Sequence, residues 1–213
     1  MSMRLTYFGH ASFLVQTQNK RIYIDPYAGT DSDYNNADLI LVSQWHFDHC
    51  NMGKLRKAMR ENTHVLGTKE VAAEVYPSGS LMPRESRKFD DVEVVAMPVK
   101  SKDVNYRGHE GDEDRERLGF VIISEGKKLY FMGDSVYMPQ LSKMKPDVLL
   151  IAVGGTFTQT PEEAAKDADV IEPNYAVPMC WGGPEGTRDN AQLFKDLVKC
   201  PVKVLSPGES LDL

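Results

Sequence analysis

The stretch Ala37–Cys50, ADLILVSQWHFDHC, constrains the fold of this chain more than any other. Leu39 to Val42 is a short run of large apolar residues without polar alternation. That is the pattern of a strand covered on both faces, and so of a sheet with other layers packed on each side of it. The run stops at Ser43, and Gln44, His46, Asp48 and His49 follow within a few residues. A rigid strand ending in a loop rich in imidazole and carboxylate is a common way to hold a cation: the strand fixes the loop and the loop supplies the ligands. Extended backbone would point Gln44, His46 and Asp48 one way and turn His49 onto a neighbouring face.

Around this stretch the pattern is that of hairpins interspersed with helices. Leu5–Phe8, Ser12–Thr17 and Arg21–Ile24 read as strands, with a turn at Asn19–Lys20 and a sharp end at Asp25–Pro26. Asn51–Glu61 reads as a helix, His64–Gly67 as a strand, and Thr68 as the cap of a helix reaching Tyr76. Val92–Met97 is a further strand. Gly119–Ser124 and Lys128–Met132 form a hairpin running into Gly133–Asp134, just as the earlier hairpin runs into Asp25. Asp38 opens the buried run LILV and Asp147 opens VLLIAV, so the chain carries a weak internal repeat. Thr160-Pro161-Glu162-Glu163 combines a cap, a first-turn proline and a capping glutamate, which starts a helix to about Ile171. Ala176–Met179 is a strand ending at Cys180-Trp181-Gly182-Gly183, Thr187–Lys199 is an amphipathic helix, and Val202–Leu205 with Pro207–Gly208 closes the fold. Mixed sheets of class α/β (α+β) follow, in a single domain 1–213 made of two similar halves, roughly 1–99 and 118–213. The charged stretch 100–117 joins them as a solvated loop.

Composition narrows the function. A net charge of −6 argues against a general nucleic-acid binder, and no apolar run approaches the roughly 20 residues of a membrane span. The first residues lack the apolar core of a signal peptide. Cys50, Cys180 and Cys200 are odd in number and show no CxxC spacing, which points to a reducing cytoplasm and away from a disulfide framework.

Four strand ends gather candidate ligands and acids: Gln44–His49, Pro98–Lys100, Gly133–Asp134 and Met179–Cys180. Together with LTYFGHASFLV, IYIDP, DLILVS, LYFMGDS, VGGTFTQTPEEAA, VPMCWGG and VLSPGES, they resemble the metallo-β-lactamase superfamily over nearly the whole chain. The nearest likeness is to its metal-dependent hydrolases of the ascorbate-6-phosphate lactonase-like kind. The resemblance implies a four-layer αββα sandwich with a metal site at the strand ends. In that family the loop reads His-x-His-x-Asp-His. Here His46, Asp48 and His49 match it and Asp134 matches the bridging aspartate, whereas Gln44, Lys100 and Cys180 stand where histidines are expected. An amide oxygen is a poor zinc ligand and an ammonium repels a cation, so the site that would use Gln44, His46 and Lys100 is expected to be vacant. The other, built from Asp48, His49, Asp134 and Cys180, offers a tetrahedral set suited to one zinc.

Two readings stand side by side. In the first, the chain is a hydrolase of an ester, lactone or phosphoester. Asp48 or His46 orients water and passes protons, and Lys100 or the Thr156 hydroxyl stabilises an oxyanion. Gln44, Thr156, Trp181 and His10 line the substrate, a small anionic molecule. In the second, Lys100 pairs with Asp48 and Asp134 in a metal-free, catalytically silent cleft that binds a small anion or a protein partner. A lactamase proper or a nuclease fits neither the branch resembled nor the acidic charge. His10 is a donor orienting a carboxylate or a satisfied core histidine. His64 is structural, His109 is a solvated loop residue or a replacement ligand, Trp181 lines the pocket or packs in the core, and Cys50 is buried as a small hydrophobe.

Overall fold

The computed structural model describes residues 3–100, 116–136 and 144–213. In chain order, β1 (Arg4–Gly9), β2 (Ser12–Gln16) and β3 (Arg21–Ile24) form an antiparallel meander, and β4 (Leu39–Val42) is the buried strand. Helix α1 (Met52–Ala58), strand β5 (His64–Gly67), helix α2 (Lys69–Glu74) and a two-residue β6 (Gly79–Ser80) follow. The chain then crosses to a second sheet with β7 (Ser86–Phe89), β8 (Val92–Pro98), β9 (Leu118–Ser124), β10 (Lys127–Phe131) and β11 (Val148–Ala152). Helix α3 (Pro161–Ile171), strand β12 (Tyr175–Met179) and helix α4 (Arg188–Leu197) complete that half, and β13 (Ser210–Asp212) returns to the first sheet. The sheets are ordered β13-β1-β2-β3-β4-β5-β6 and β12-β11-β10-β9-β8-β7. Both mix parallel and antiparallel pairs.

Side-chain alternation explains the layers. Phe13, Leu41, Phe120, Phe131 and Leu150 belong to one core that joins the inner faces of the two sheets. Residues pointing the other way from the first sheet, among them Tyr23, Ile40 and Val42, meet Leu55 and Ala58 of α1 and Val71 of α2 in a second cluster. Helices α3 and α4 pack on each other and on β11 and β12. The result is helix, sheet, sheet, helix, and among the described residues no helix is long and apolar enough to cross a membrane.

Helix ends follow local chemistry. The Asn51, Thr68 and Thr160 side chains accept N–H groups from the first turns of α1, α2 and α3, and the Glu163 carboxylate returns a bond to the Thr160 N–H at 2.9 Å. Helix α1 stops at Ala58, short of the expected Glu61, because Met59 is already extended and the Thr63 hydroxyl takes the Arg60 N–H. Helix α2 stops at Glu74, where Pro77 disfavours helical backbone at Tyr76. Val202–Leu205 contributes a single bridge to Ala176, and the closing strand lies further on, at Ser210–Asp212.

The internal repeat is visible in the pairing. Strands β1 to β5 pair antiparallel, antiparallel, parallel, parallel, and β8 to β12 do the same. Asp38 accepts the Arg21 N–H at 2.8 Å at the foot of one parallel pair, and Asp147 accepts the Lys128 N–H at 2.9 Å at the foot of the other. The sheets do not divide at the charged stretch: β7 and β8 precede it yet lie in the second sheet. Apart from Lys100, Glu116 and Arg117, that stretch, His109 included, lies outside the described residues.

Candidate metal centre

The loop after β4 is a turn, where extended backbone was expected. The His46 carbonyl accepts the N–H groups of His49 and Cys50 at 3.1 and 2.9 Å. An extended loop would send Asp48 and His49 to opposite faces. The turn buries both, leaves His46 half-buried and turns Phe47 out to 65% exposure.

Beneath the loop lies Asp25, at the end of β3, a residue that sequence reasoning passed over. It is fully buried, and its carboxylate accepts the Ser43 N–H at 2.7 Å, the Ser43 hydroxyl at 2.6 Å and His49 Nδ1 at 2.7 Å. Burial pushes the Asp25 pKa up, and His49 and Ser43 only partly offset that. With its Nδ1 proton committed to Asp25, His49 turns Nε2 toward Asp134 Oδ2 at 2.9 Å and Asp48 Oδ1 at 3.8 Å. Both are ion-pair contacts, and Nε2 is buried with no hydrogen-bond partner. Burial alone would depress the His49 pKa, but Asp134 and Asp25 outweigh it and hold it well above the ordinary histidine value. Asp48 and Asp134 are driven the other way: burial would raise them, but the His10 and His46 imidazoles beside Asp48 lower it, and the His49 charge brings Asp134 to about 2.

Asp134 is delivered by Gly133, whose φ of +66° and approach to the Leu118 carbonyl leave no room for a side chain. Its Oδ2 also accepts the Gln44 amide at 2.7 Å, and the Gln44 carbonyl accepts Arg117 Nε at 2.7 Å. A protein cation thus stands behind Gln44. It is Arg117 and not Lys100, which is exposed and pairs with no carboxylate among the described residues; the Lys–Asp network expected of a metal-free cleft is not formed. His46 Nδ1 meets Asp48 Oδ1 in a short contact, with the His46 side chain 38% exposed. Cys180 Sγ lies 3.7 Å from Asp134 Oδ1, and burial with Asp134 nearby holds its thiol well above the usual value. His10 enters from the turn between β1 and β2, with Nε2 3.2 Å from Asp48 Oδ2. Ligand atoms of His10, Asp48 and His49 lie within 4.8 Å of one another.

The remaining expected residues stand apart. Thr156 is exposed, and its N–H goes to Glu185 at 3.1 Å. Glu185, also passed over in the sequence, is buried, and its carboxylate gathers the N–H groups of Thr156, Phe157 and Thr158 and the Thr158 hydroxyl, tying the loop after β11 to the loop after β12. Trp181 is buried against Tyr7, its indole N–H donating to the Pro178 carbonyl at 2.9 Å. Cys50 is buried in the cluster under α1, where burial pushes its thiol up to about 12. A cleft of about 430 Å³ opens at the opposite ends of the strands, lined by Ile22, Leu39, His64 and the β7–β8 turn. Its Lys20 is paired with Asp90 at 2.5 Å and its Asp38 with Arg60.

The donor set fits a metal. Nε2 of His49 and both ring nitrogens of His10 are buried without hydrogen-bond partners, beside two ionised carboxylates, and burying polar atoms unpaired costs about 1–3 kcal/mol each. A histidine whose Nδ1 donates to a carboxylate while Nε2 points at further carboxylates is the arrangement that orients metal-binding imidazoles.

Comparison with known proteins agrees with the fold. A UPF0173 protein of Pyrococcus abyssi is 30% identical over 217 residues, covering 99% of this chain and 100% of the relative. A UPF0173 metal-dependent hydrolase of Pyrococcus furiosus is 30% identical over 233 residues, with 99% and 100% covered. Among solved structures, Igni18, a metallo hydrolase from Ignicoccus hospitalis, superposes with a TM-score of 0.81 at 22% identity over 100% of this chain and 99% of its own. YhfI of Bacillus subtilis, a metallo-beta-lactamase fold protein, gives 0.80 at 14% identity over 100% of both chains. The family described as the beta-lactamase superfamily domain matches residues 4–180. That span takes in every strand-end loop that brings a residue to the centre, and the chain belongs to the beta-lactamase superfamily.

Proposed function

We propose that this chain is a metal-dependent hydrolase that cleaves an ester, lactone or phosphoester of a small anionic molecule, using a single zinc. The observation that carries the reading is His49, with Nδ1 donated to Asp25 and Nε2 buried between the Asp48 and Asp134 carboxylates with no hydrogen-bond partner. Asp48, His49 and Asp134 would hold the ion, with Cys180 next in reach and His46 on the solvent side of Asp48. Zinc bound there supplies Lewis acidity and brings the pKa of water toward neutrality. Asp48, kept ionised by the imidazoles around it, would orient the attacking water by accepting a hydrogen bond from it, and half-exposed His46 would take up the proton and pass it to solvent. Arg117, behind Gln44, supplies the positive charge that draws an anionic substrate, the part expected of Lys100. Relatives named metal-dependent hydrolases support the reaction class. Cys50, Cys180 and Cys200 are unpaired, which supports a reducing, cytoplasmic setting.

One observation favours the second reading, a metal-free binding cleft: Gln44 already supplies Asp134 with a hydrogen bond. Elemental analysis after dialysis against trace zinc separates the two. The hydrolase requires about one zinc per chain, with turnover of p-nitrophenyl acetate, p-nitrophenyl phosphate or a simple lactone that Asp48→Asn abolishes. A well-folded protein that takes up no zinc refutes it.

A further inference from the structure

We propose that His10 is itself a metal ligand, contributed by the turn between β1 and β2, and that it restores an imidazole where the loop after β4 has lost one. The inference rests on the reading that a metal binds at this centre. His10 is 5% exposed, and neither of its ring nitrogens has a hydrogen-bond partner. A histidine serving only the core would have at least one nitrogen satisfied, since a buried polar atom left unpaired is costly.

Its placement is that of a ligand. Tetrahedral zinc with bonds of about 2.0–2.1 Å sets its ligand atoms roughly 3.3 Å apart. The separations here scatter about that value: His10 Nε2 to Asp48 Oδ2 is 3.2 Å, His49 Nε2 to Asp134 Oδ2 is 2.9 Å and His49 Nε2 to Asp48 Oδ1 is 3.8 Å. The first two are close imidazole–carboxylate contacts in which the ring nitrogens still lack a hydrogen-bond partner, the placement of groups that face a common ion. The His10 and His49 rings converge edge to face, with centroids 5.3 Å apart.

The turn that holds His10 is built for this position. The residue has φ +50°, a conformation costing of order 1 kcal/mol that persists only where the surroundings impose it. They do: the His10 carbonyl accepts the Cys180 N–H at 2.9 Å and the Tyr7 hydroxyl at 3.2 Å, and its ring is met edge-on by Tyr27 at 5.7 Å. Gln44, by contrast, has turned away from any ion. Its carbonyl is taken by Arg117, and its amide donates to Asp134. The set becomes His10, His49, Asp48 and Asp134, two nitrogens and two oxygens, a donor set zinc accepts without Cys180.

Pulsed EPR of the copper(II)-loaded protein counts coordinated imidazoles directly, and zinc affinity is read in parallel by competition with a chromophoric chelator. The expected result is two imidazoles in the wild type and one in His10→Phe, with zinc affinity down by more than about 100-fold, beyond what loss of an outer hydrogen bond to a ligand causes. His10→Phe keeps a ring in the space, and the melting temperature of the metal-free variant reports whether the fold survives. A wild-type count of one overturns the proposal without any variant, as does an unchanged count and affinity in His10→Phe; in either case zinc still binds and the hydrolase reading stands. Folded wild type that binds neither copper nor zinc removes that reading and this proposal with it.

Discussion

Replacing Asp25 by asparagine changes one atom and separates the tautomer of His49 from the packing around it. The carboxylate accepts one donor on Oδ1, the Ser43 N–H, and two on Oδ2, the Ser43 hydroxyl and His49 Nδ1. An amide can match only one side. Placing its NH2 against the Ser43 N–H would set two donors face to face, because a backbone N–H cannot be reversed. The NH2 therefore takes the Oδ2 side, where the Ser43 hydroxyl can rotate to accept and His49 Nδ1 can give up its proton. A metal needs the neutral imidazole with its lone pair on Nε2; with an amide facing Nδ1, the neutral ring keeps its proton on Nε2 instead and offers no lone pair there. Loss of such an orienting carboxylate costs 10–100-fold in metal affinity, about 1.4–2.7 kcal/mol. The metal-free fold is affected less, since removing a buried charge whose pKa burial has raised offsets the weakened hydrogen bonds. Chelator competition for zinc, with melting of the metal-free protein alongside, measures both quantities. Undiminished zinc affinity in Asp25→Asn would refute the tautomer argument, whatever happens to stability.

Two more outcomes can be checked by calorimetry. A Cβ at Gly154 would overlap the buried Glu185 carboxyl group, so Gly154→Ala must expel it from its four donors; overpacking of about 1–3 kcal/mol lowers the melting temperature by roughly 2–12 °C. In metal-free protein Asp48 and Asp134 titrate below their unfolded values, so the stability they contribute is whole above about pH 5 and is lost as the pH falls toward 2. His49 has the opposite sign: its folded pKa is raised, so its contribution is whole below about pH 6.5 and is lost as the pH rises through the folded value. Asp25, raised, works against the two aspartates on the acid side. The melting temperature in EDTA is expected to fall from pH 5 to pH 3 and again on the alkaline side; a rise from pH 5 to pH 3 would contradict the charge assignment.

What could be read from the residues alone is what local chemistry decides. Buried strands such as β4 and β11 announce themselves by apolar runs, and the α3 start by Thr160, Pro161 and Glu163. Strand β7 has no such signal: Ser86, Arg87 and Lys88 are exposed on an edge, and only pairing with β8 makes them a strand. At the centre, Asp48, His49 and Asp134 stand out because their types and spacing are unusual. Asp25 does not, and His10 is read only as a substrate-lining or carboxylate-orienting residue, since each is a lone residue after a strand whose importance depends on which distant loop the fold sets against it. A histidine beside Gly9 and an aspartate before Pro26 were the available hints, and both residues adopt positive φ in the folded chain. Arg117 was legible only as one charge among many.

The pairing of β13 with β1 joins residues such as Thr6 and Ser210, 204 positions apart, and the same edge binds Tyr7 to Gly208 and Glu209. Contacts of such long range are made late, because the entropy of closing the loop must be met before the pairing repays it. Until then β1 presents an open edge able to template pairing with another molecule, a hazard to the newly made chain and not to the finished one. The turn carrying His10 grows directly from that edge. A metal held by His10 as proposed would then bind fully only once that edge is complete, and by mass action would favour the finished fold.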